Sequence, residues 1–503
     1  MQIYYNLLNV STFLGIILNS LYANSYLLLI FVHQKITEFI NIMSTLTIAI
    51  IVVFVLGYAL IAMESLTKVN KAAIALLMFV FCWMLFMFDP APFIQLMHPD
   101  FAGAGEKVVA FANSLITEHL GDTATTLFFL MGAMTIVEIV DQNGGFNWVK
   151  NVMQSKTKRS LLWKIAFMTF FLSAILDNLT TSIVMIMILR KLIQDKHDRM
   201  IYASLVIIAA NSGGAFSPIG DVTTIMLWNS GMITAGGVIS EIFVPSLISM
   251  LIPAFLLSLS LKGNIQRDNL TNDLSGDREV LEFNSLQRKI IFAIGVGGLC
   301  FVPLFHFLTD LPPFAGILLV LGVLWTVTEL FYHNLHKKRG GDFHFSKRVS
   351  SLLSRIDMST ILFFLGILMA VACLEEVGVL RELGNGLNIA FNSNHYAVTG
   401  IIGVLSSIVD NVPLVAGSMG MYPVQALGDM SVDGIFWQLL AYCAGVGGSM
   451  LIVGSAAGVV VMGLEKITFG WYMKRISWIA FVGYIAGILS YWVIRTLIFT
   501  TPL

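Results

Sequence analysis

The stretch SAILDNLTTSIVM, residues 173–185, carries the pair Asp177-Asn178 in the middle of a long apolar run. A second stretch, SSIVDNVPLVAG at 406–417, repeats the pair as Asp410-Asn411. A carboxylate at bilayer depth costs about 2.5–3.5 kcal/mol on insertion scales, so it marks an ion or proton pathway. Two of them in matching contexts point to a site assembled from two halves of one architecture.

The rest of the chain is of the same kind. Of its 503 residues, 57% are hydrophobic and only 12% are charged, about half the charged fraction of a soluble protein. Apolar runs long enough to cross a bilayer recur from end to end, which predicts an all-α polytopic membrane protein with the lipid bilayer as its partner. The net charge of -1 points to no nucleic acid. Cys82, Cys300, Cys373 and Cys443 lie scattered in apolar runs without metal or disulfide spacing, as small core residues would. Residues 1–42 include an apolar stretch at 12–32 with no basic region before it, unlike a cleaved signal peptide. An extra first helix and an extension upstream of a start at Met43 both fit.

Candidate membrane segments are 44–62, 72–88, 124–140, 161–194, 201–230, 240–261, 290–307, 313–333, 359–377, 396–422, 435–463 and 476–498. The segments 161–194 and 396–422 are interrupted by the Asp-Asn pairs, and each reads as a re-entrant helical hairpin. Non-helical backbone at depth is tolerated only where it is buried or lines a cavity. Lys and Arg set the orientation. Lys68 and Lys71, the group from Lys150 to Lys164, Arg190 to Arg199, the loops 262–289 and 334–358, and Lys466 to Arg475 mark one cytoplasmic side.

An internal repeat follows from spacing. Gly132 in FFLMGAM matches Gly366 in FFLGILM (366 − 132 = 234), Asp177 matches Asp410 (410 − 177 = 233), and Gly213-Gly214 match Gly447-Gly448 (447 − 213 = 234). Three ordered motifs at a nearly constant offset outweigh any one of them. The span count runs 124–140 inward and 359–377 outward, so the repeat is expected to be inverted.

The segments AANSGGAFSPIGDVTTIMLW at 209–228 and AGVGGSMLIVGSAAGVVVMG at 444–463 read as two broken transmembrane helices. Paired glycines and Pro218 leave carbonyls unpaired in the membrane, and a dehydrated cation is one partner for them. In the second copy Ser455 stands where Asp221 stands in the first. Bland readings compete: glycine stretches serve close packing, Asp and Asn cap helices, and Thr180, Thr181 and Ser182 can bond their own backbone. Glu138, one turn inside its helix, is a secondary candidate, as are Thr180, Ser182, Gly454 and Ser455.

ILDNLTTSIV, NSGGAFSPIGDVTT and IVDNVPLVAG resemble the NhaD-type sodium/proton antiporters of the ion transporter superfamily, whose other members include arsenite exporters and citrate and dicarboxylate carriers. The resemblance covers about residues 44–500. It implies a scaffold domain that often dimerises, here a homodimer through scaffold helices, and a transport domain moving as an elevator. The division is then 1–42, N-terminal scaffold 43–123, first repeat 124–261, cytoplasmic loop 262–289, scaffold and loop 290–358, and second repeat 359–503. Where dicarboxylate carriers have Ser-Asn-Thr at the hairpin tips, this chain has acids, which repel a dicarboxylate and suit a small cation.

The expected function is exchange of cytoplasmic Na⁺, or Li⁺, for external H⁺, with no cofactor beyond the transported ions and no enzymatic activity. Asp177 and Asp410 are expected to meet as the principal ligands, with Asn178, Thr181, Asn211, Ser217, Asp221 and Asn411 supplying oxygens or holding the loops. An arsenite exporter or carboxylate symporter on the same fold is the alternative. HExxH, GxSxG and P-loop motifs are absent from the sequence, which disfavours a membrane enzyme. Without an Arg- and Ser-rich extension, the expected location is a bacterial inner membrane.

Overall fold

Lipid offers a backbone N–H or C=O no partner, so an isolated crossing segment satisfies its own groups as a helix. A computed structural model describes residues 45–63, 67–145, 152–153, 155–261, 263–264, 283–339 and 352–497. Residues 1–42 and most of the loop 262–289 lie outside the described residues. Within them the elements are helical, apart from isolated bridges at Thr157–Asn264 and Gln425–Ser431.

The first half contains α1 (Thr45–Ala62), α2 (Lys71–Phe88), α3 (Ala91–Met97), α4 (Glu106–Gln142), α5 (Lys158–Leu176), α6 (Asn178–Leu192), α7 (Lys196–Ala215), α8 (Val222–Asn229) and α9 (Ala235–Ser260). After the loop come α10 (Ser285–Thr309), α11 (Pro313–Arg339), α12 (Met358–Glu376), α13 (Val379–Ala390), α14 (His395–Leu405), α15 (Asn411–Met421), α16 (Ile435–Gly447), α17 (Ala456–Glu465), α18 (Phe469–Arg475) and α19 (Ser477–Leu497). Among the described residues, 8 helices are long and apolar enough to cross a membrane. The protein is a multi-pass helical membrane protein.

The expected segment 124–140 is only the second half of α4, whose 37 residues extend it back to Glu106, a length of about 55 Å. Hydropathy misses residues 106–123 because they carry charge, yet they keep a helical stripe. Val108, Ala112, Leu115 and Thr123 are buried on one face. Cys82, Cys373 and Cys443 are core residues as expected, but Cys300 is exposed on α10.

The helices pack in two groups. In one, α9 lies on α19, α7 on α5, α14 on α16, and α6 on α17. In the other, α2 packs on α12 and α1, and α4 packs on α11 and α10. The groups meet chiefly where α15 lies along α12 and α13, and where α8 touches α4. Small residues permit the closest approaches. A Cβ on Gly213 would collide with the Phe170 carbonyl, and one on Gly447 with the Gly403 carbonyl. These contacts sit at equivalent positions of the two halves (447 − 213 = 234; 403 − 170 = 233). Close backbone packing of this kind is how membrane helices associate without a hydrophobic driving force.

Candidate functional site

Four half-helices start at one buried polar centre. α6 begins after Asp177, α15 after Asp410, α8 after Asp221, and α17 after Ser455. Residues 216–221 interrupt the first broken helix and 448–455 the second. Asp221 and Ser455 hold almost the same extended backbone, with φ/ψ of -146°/151° and -145°/153°, and each caps the helix that follows. Helix N-termini carry partial positive charge, so they favour a carboxylate here.

The two hairpins converge on Asp221. Asn178 Nδ2 donates to Asp221 Oδ2 at 3.0 Å, and Asn411 Nδ2 donates to the same oxygen at 3.1 Å. Asn178 Nδ2 also reaches Asn211 Oδ1 at 3.2 Å. Asn211 in turn donates to the hydroxyls of Ser449 and Ser455, both at 2.9 Å. Asn178, Asn211, Asp221, Asn411, Ser449 and Ser455 are all buried. At the repeat position of Asn211 stands Gly445 (445 − 211 = 234). A Cβ there would lie 3.6 Å from Asp221 Oδ2, so its absence leaves space beside the carboxylate.

The expectation that Asp177 and Asp410 themselves meet is corrected: the asparagines beside them meet, with Asp221 between. Both Asp177 and Asp410 remain within electrostatic reach of Asp221. Asp177 has an unusual backbone for a non-glycine residue, φ 76° and ψ 160°, which costs on the order of 1–3 kcal/mol. Its carboxylate is held by its own helix, with Oδ1 accepting from Thr180 N at 2.7 Å and Oδ2 from Thr180 Oγ1 at 2.9 Å. It also borders an apolar crevice walled by Phe129, Leu130 and Met134 of α4 and Leu299 of α10.

Asp410 makes no such cap. The residue three positions on is Pro413, which has neither the N–H nor the hydroxyl that Thr180 supplies in the first hairpin. Its carboxylate instead faces the second helix group, with Oδ2 3.8 Å from Lys71 Nζ.

The other expected residues divide. Thr181 and Ser182 are fully buried, and neither hydroxyl has a partner among the described residues. The Ser217 hydroxyl is committed to the Ala174 carbonyl at 2.6 Å, which ties the broken helix to the first hairpin. Gly454 packs on the second hairpin, where a Cβ would lie 2.5 Å from the Ser407 carbonyl oxygen. Glu138 is half-buried on α4, in the other helix group.

Sequence reasoning missed Ser173 and Ser406, which bond the Ala210 and Ala444 carbonyls at 2.6 and 2.8 Å and hold each hairpin to its broken helix. Their signal was present: each precedes its Asp by four residues. Ser449 and Lys71 were also missed, Lys71 because it was read only as an orientation marker.

A family described as a citrate transporter matches residues 101–440. Sodium/proton antiporter 2 of Arabidopsis thaliana is 42% identical over 87% of this chain and 97% of its own length. The Na(+)/H(+) antiporter NhaD of Alkalimonas amylolytica is 31% identical over 87% of this chain and 88% of its own. Among solved structures, the YdaH transporter of Alcanivorax borkumensis aligns with a TM-score of 0.54 at 12% identity, over 84% of this chain and 98% of that one, a likeness of fold alone.

Proposed function

Because the chain belongs to the citrate-transporter family and, within it, to the NhaD-type sodium/proton antiporters, we propose that it exchanges Na⁺ for H⁺ across its membrane. The observation that carries this reading is the buried Asp221 carboxylate, on which an asparagine from each hairpin converges. A buried carboxylate without a counter-ion is costly, and either a proton or a metal cation relieves the cost. Occupation by one excludes the other, and mutual exclusion at a shared site is sufficient for antiport. Asp177 and Asp410 flank the centre, and Thr181, Ser182 and the unwound backbones supply neutral oxygens.

Alternating access follows if the group containing both hairpins moves as an elevator against the other. Its boundary with that group is confined mainly to α15 and α8. An inverted repeat, a homodimer through the second group, Li⁺ as a further substrate and a bacterial inner membrane belong to the same proposal, though two relatives are plant proteins.

The family description names citrate, but citrate would meet three carboxylates at this centre, and like charges disfavour it. The test uses purified protein in liposomes with a preset proton gradient. Na⁺ or Li⁺ should collapse the gradient, and citrate or arsenite should not. Asp177→Ala and Asp410→Ala should each abolish the response. Normal exchange in both variants would remove those residues from the site.

A further inference from the structure

The ammonium of Lys71 stands opposite the one hairpin-tip carboxylate that its own helix does not hold. Lys71 begins α2, in the helix group that lacks the hairpins, and its Nζ lies 4.3 Å from the centroid of the Phe363 ring on α12. This seat is braced: Asn70 caps α2 by accepting from Ala72 N at 2.8 Å, and Ser359 on α12 donates to Asn70 at 2.9 Å. Tyr58 of α1 lies within electrostatic reach of Asp410 as well. Lys71 and Tyr58 of one group therefore face a residue carried by the other, and α12 braces the Lys71 seat. Asp177 is different, since Thr180 occupies both its oxygens and its neighbours across the group boundary are apolar.

We infer that Lys71 is a tethered competitor for the transported cation at Asp410. The inference rests on the exchange reading above and deepens it. An ammonium and Na⁺ carry the same charge, and one partly buried carboxylate oxygen does not take both at close range without repulsion between them. With the site empty, Lys71 neutralises Asp410 and holds the second hairpin against α12. When Na⁺ arrives, the pair opens, and the hairpin is released from that group. Lys71 is thus a positioning residue that couples occupancy to the contact between the two groups. Pro413 is what leaves Asp410 open to this partner.

Lys71→Gln in liposomes should lower the apparent KM for Na⁺ about two- to fivefold, the range expected for losing one partly exposed ion pair. Lys71→Arg keeps the charge and should stay within about twofold of wild type. A merely structural lysine would instead lower the maximal rate at unchanged KM. In the wild-type protein, Na⁺ should accelerate acylation of Lys71 by an amine-reactive ester, with N-methylglucamine as the control cation. An unchanged Na⁺ KM in Lys71→Gln overturns the inference. Should that variant fail to assemble, Na⁺-independent acylation of the wild type does so. If the wild type itself exchanges no Na⁺ for H⁺, the exchange reading fails instead, so the two failures are distinguishable.

Discussion

The two hairpins carry the same Asp-Asn pair and use it differently. In the first, Asp177 accepts a positive φ and closes both oxygens on Thr180. In the second, Asp410 has an ordinary φ of -49° and an unclosed cap, and its carboxylate reaches across to Lys71. The broken helices diverge in the same way, with Asp221 in one and Ser455 in the other. One copy thus supplies the central charge and a self-contained tip. The other supplies a hydroxyl and a tip that interacts with the opposite helix group. The two Asp-Asn segments and the two interrupted helices supply four helix starts, and differences at a few positions make the centre chemically one-sided.

That contrast can be broken at its strongest point first. Asp221→Asn preserves size but removes the charge on which Asn178 and Asn411 converge. Na⁺-dependent proton movement in liposomes should fall at least about 100-fold, the scale of losing a charged group at a desolvated centre. Ser455→Ala should cost far less, which tests whether the charge is confined to one half.

Gly213→Ala and Gly447→Ala place a methyl group against a backbone carbonyl at equivalent positions. Each should destabilise by about 1–3 kcal/mol or more, measured as loss of thermal stability in detergent. Similar losses would show that packing is shared even where chemistry is not. Markedly unequal losses would break the equivalence.

Pro413→Thr rebuilds the first hairpin's cap in the second, at a cap energy of about 1 kcal/mol. In that background Lys71→Gln should change the Na⁺ KM by less than about twofold, because the carboxylate is already held; this is a double-mutant cycle. Undiminished coupling would show that Pro413 does not set the asymmetry. Ser455→Ala itself tests the neutral half of the centre. It removes an N-cap and one of the two acceptors of Asn211, and should cost about 1 kcal/mol of stability with a several-fold loss of rate.

Much of this was legible in order along the chain. The broken segments at Asp177 and Asp410, the glycine pairs and the serine at 455 each stand out because polar or helix-breaking residues inside apolar runs have few structural excuses. The repeat offset then linked them. The amphipathic start of α4 was not legible from hydropathy, since residues 106–123 bury only one face. The buried Glu376, held by His98 and His119 at 2.8 Å each, was not legible either, because its partners lie 278 and 257 residues away. The same holds for Glu465, which joins Arg190 and Arg199 across the two halves at 2.7 and 2.6 Å.

By itself the amino-acid order determined a multi-pass helical protein, the places where its helices break, and the set of residues available to a cation. These are local properties, set by which side chains lipid tolerates and which backbones can unwind. Only the tertiary structure decided that the asparagines rather than the tip acids meet on Asp221, and that Lys71 faces Asp410. Those outcomes depend on how distant helices pack and on which carboxylate oxygens are already occupied. No spacing along the chain encodes that, because the partners are brought together only when the two halves fold against each other.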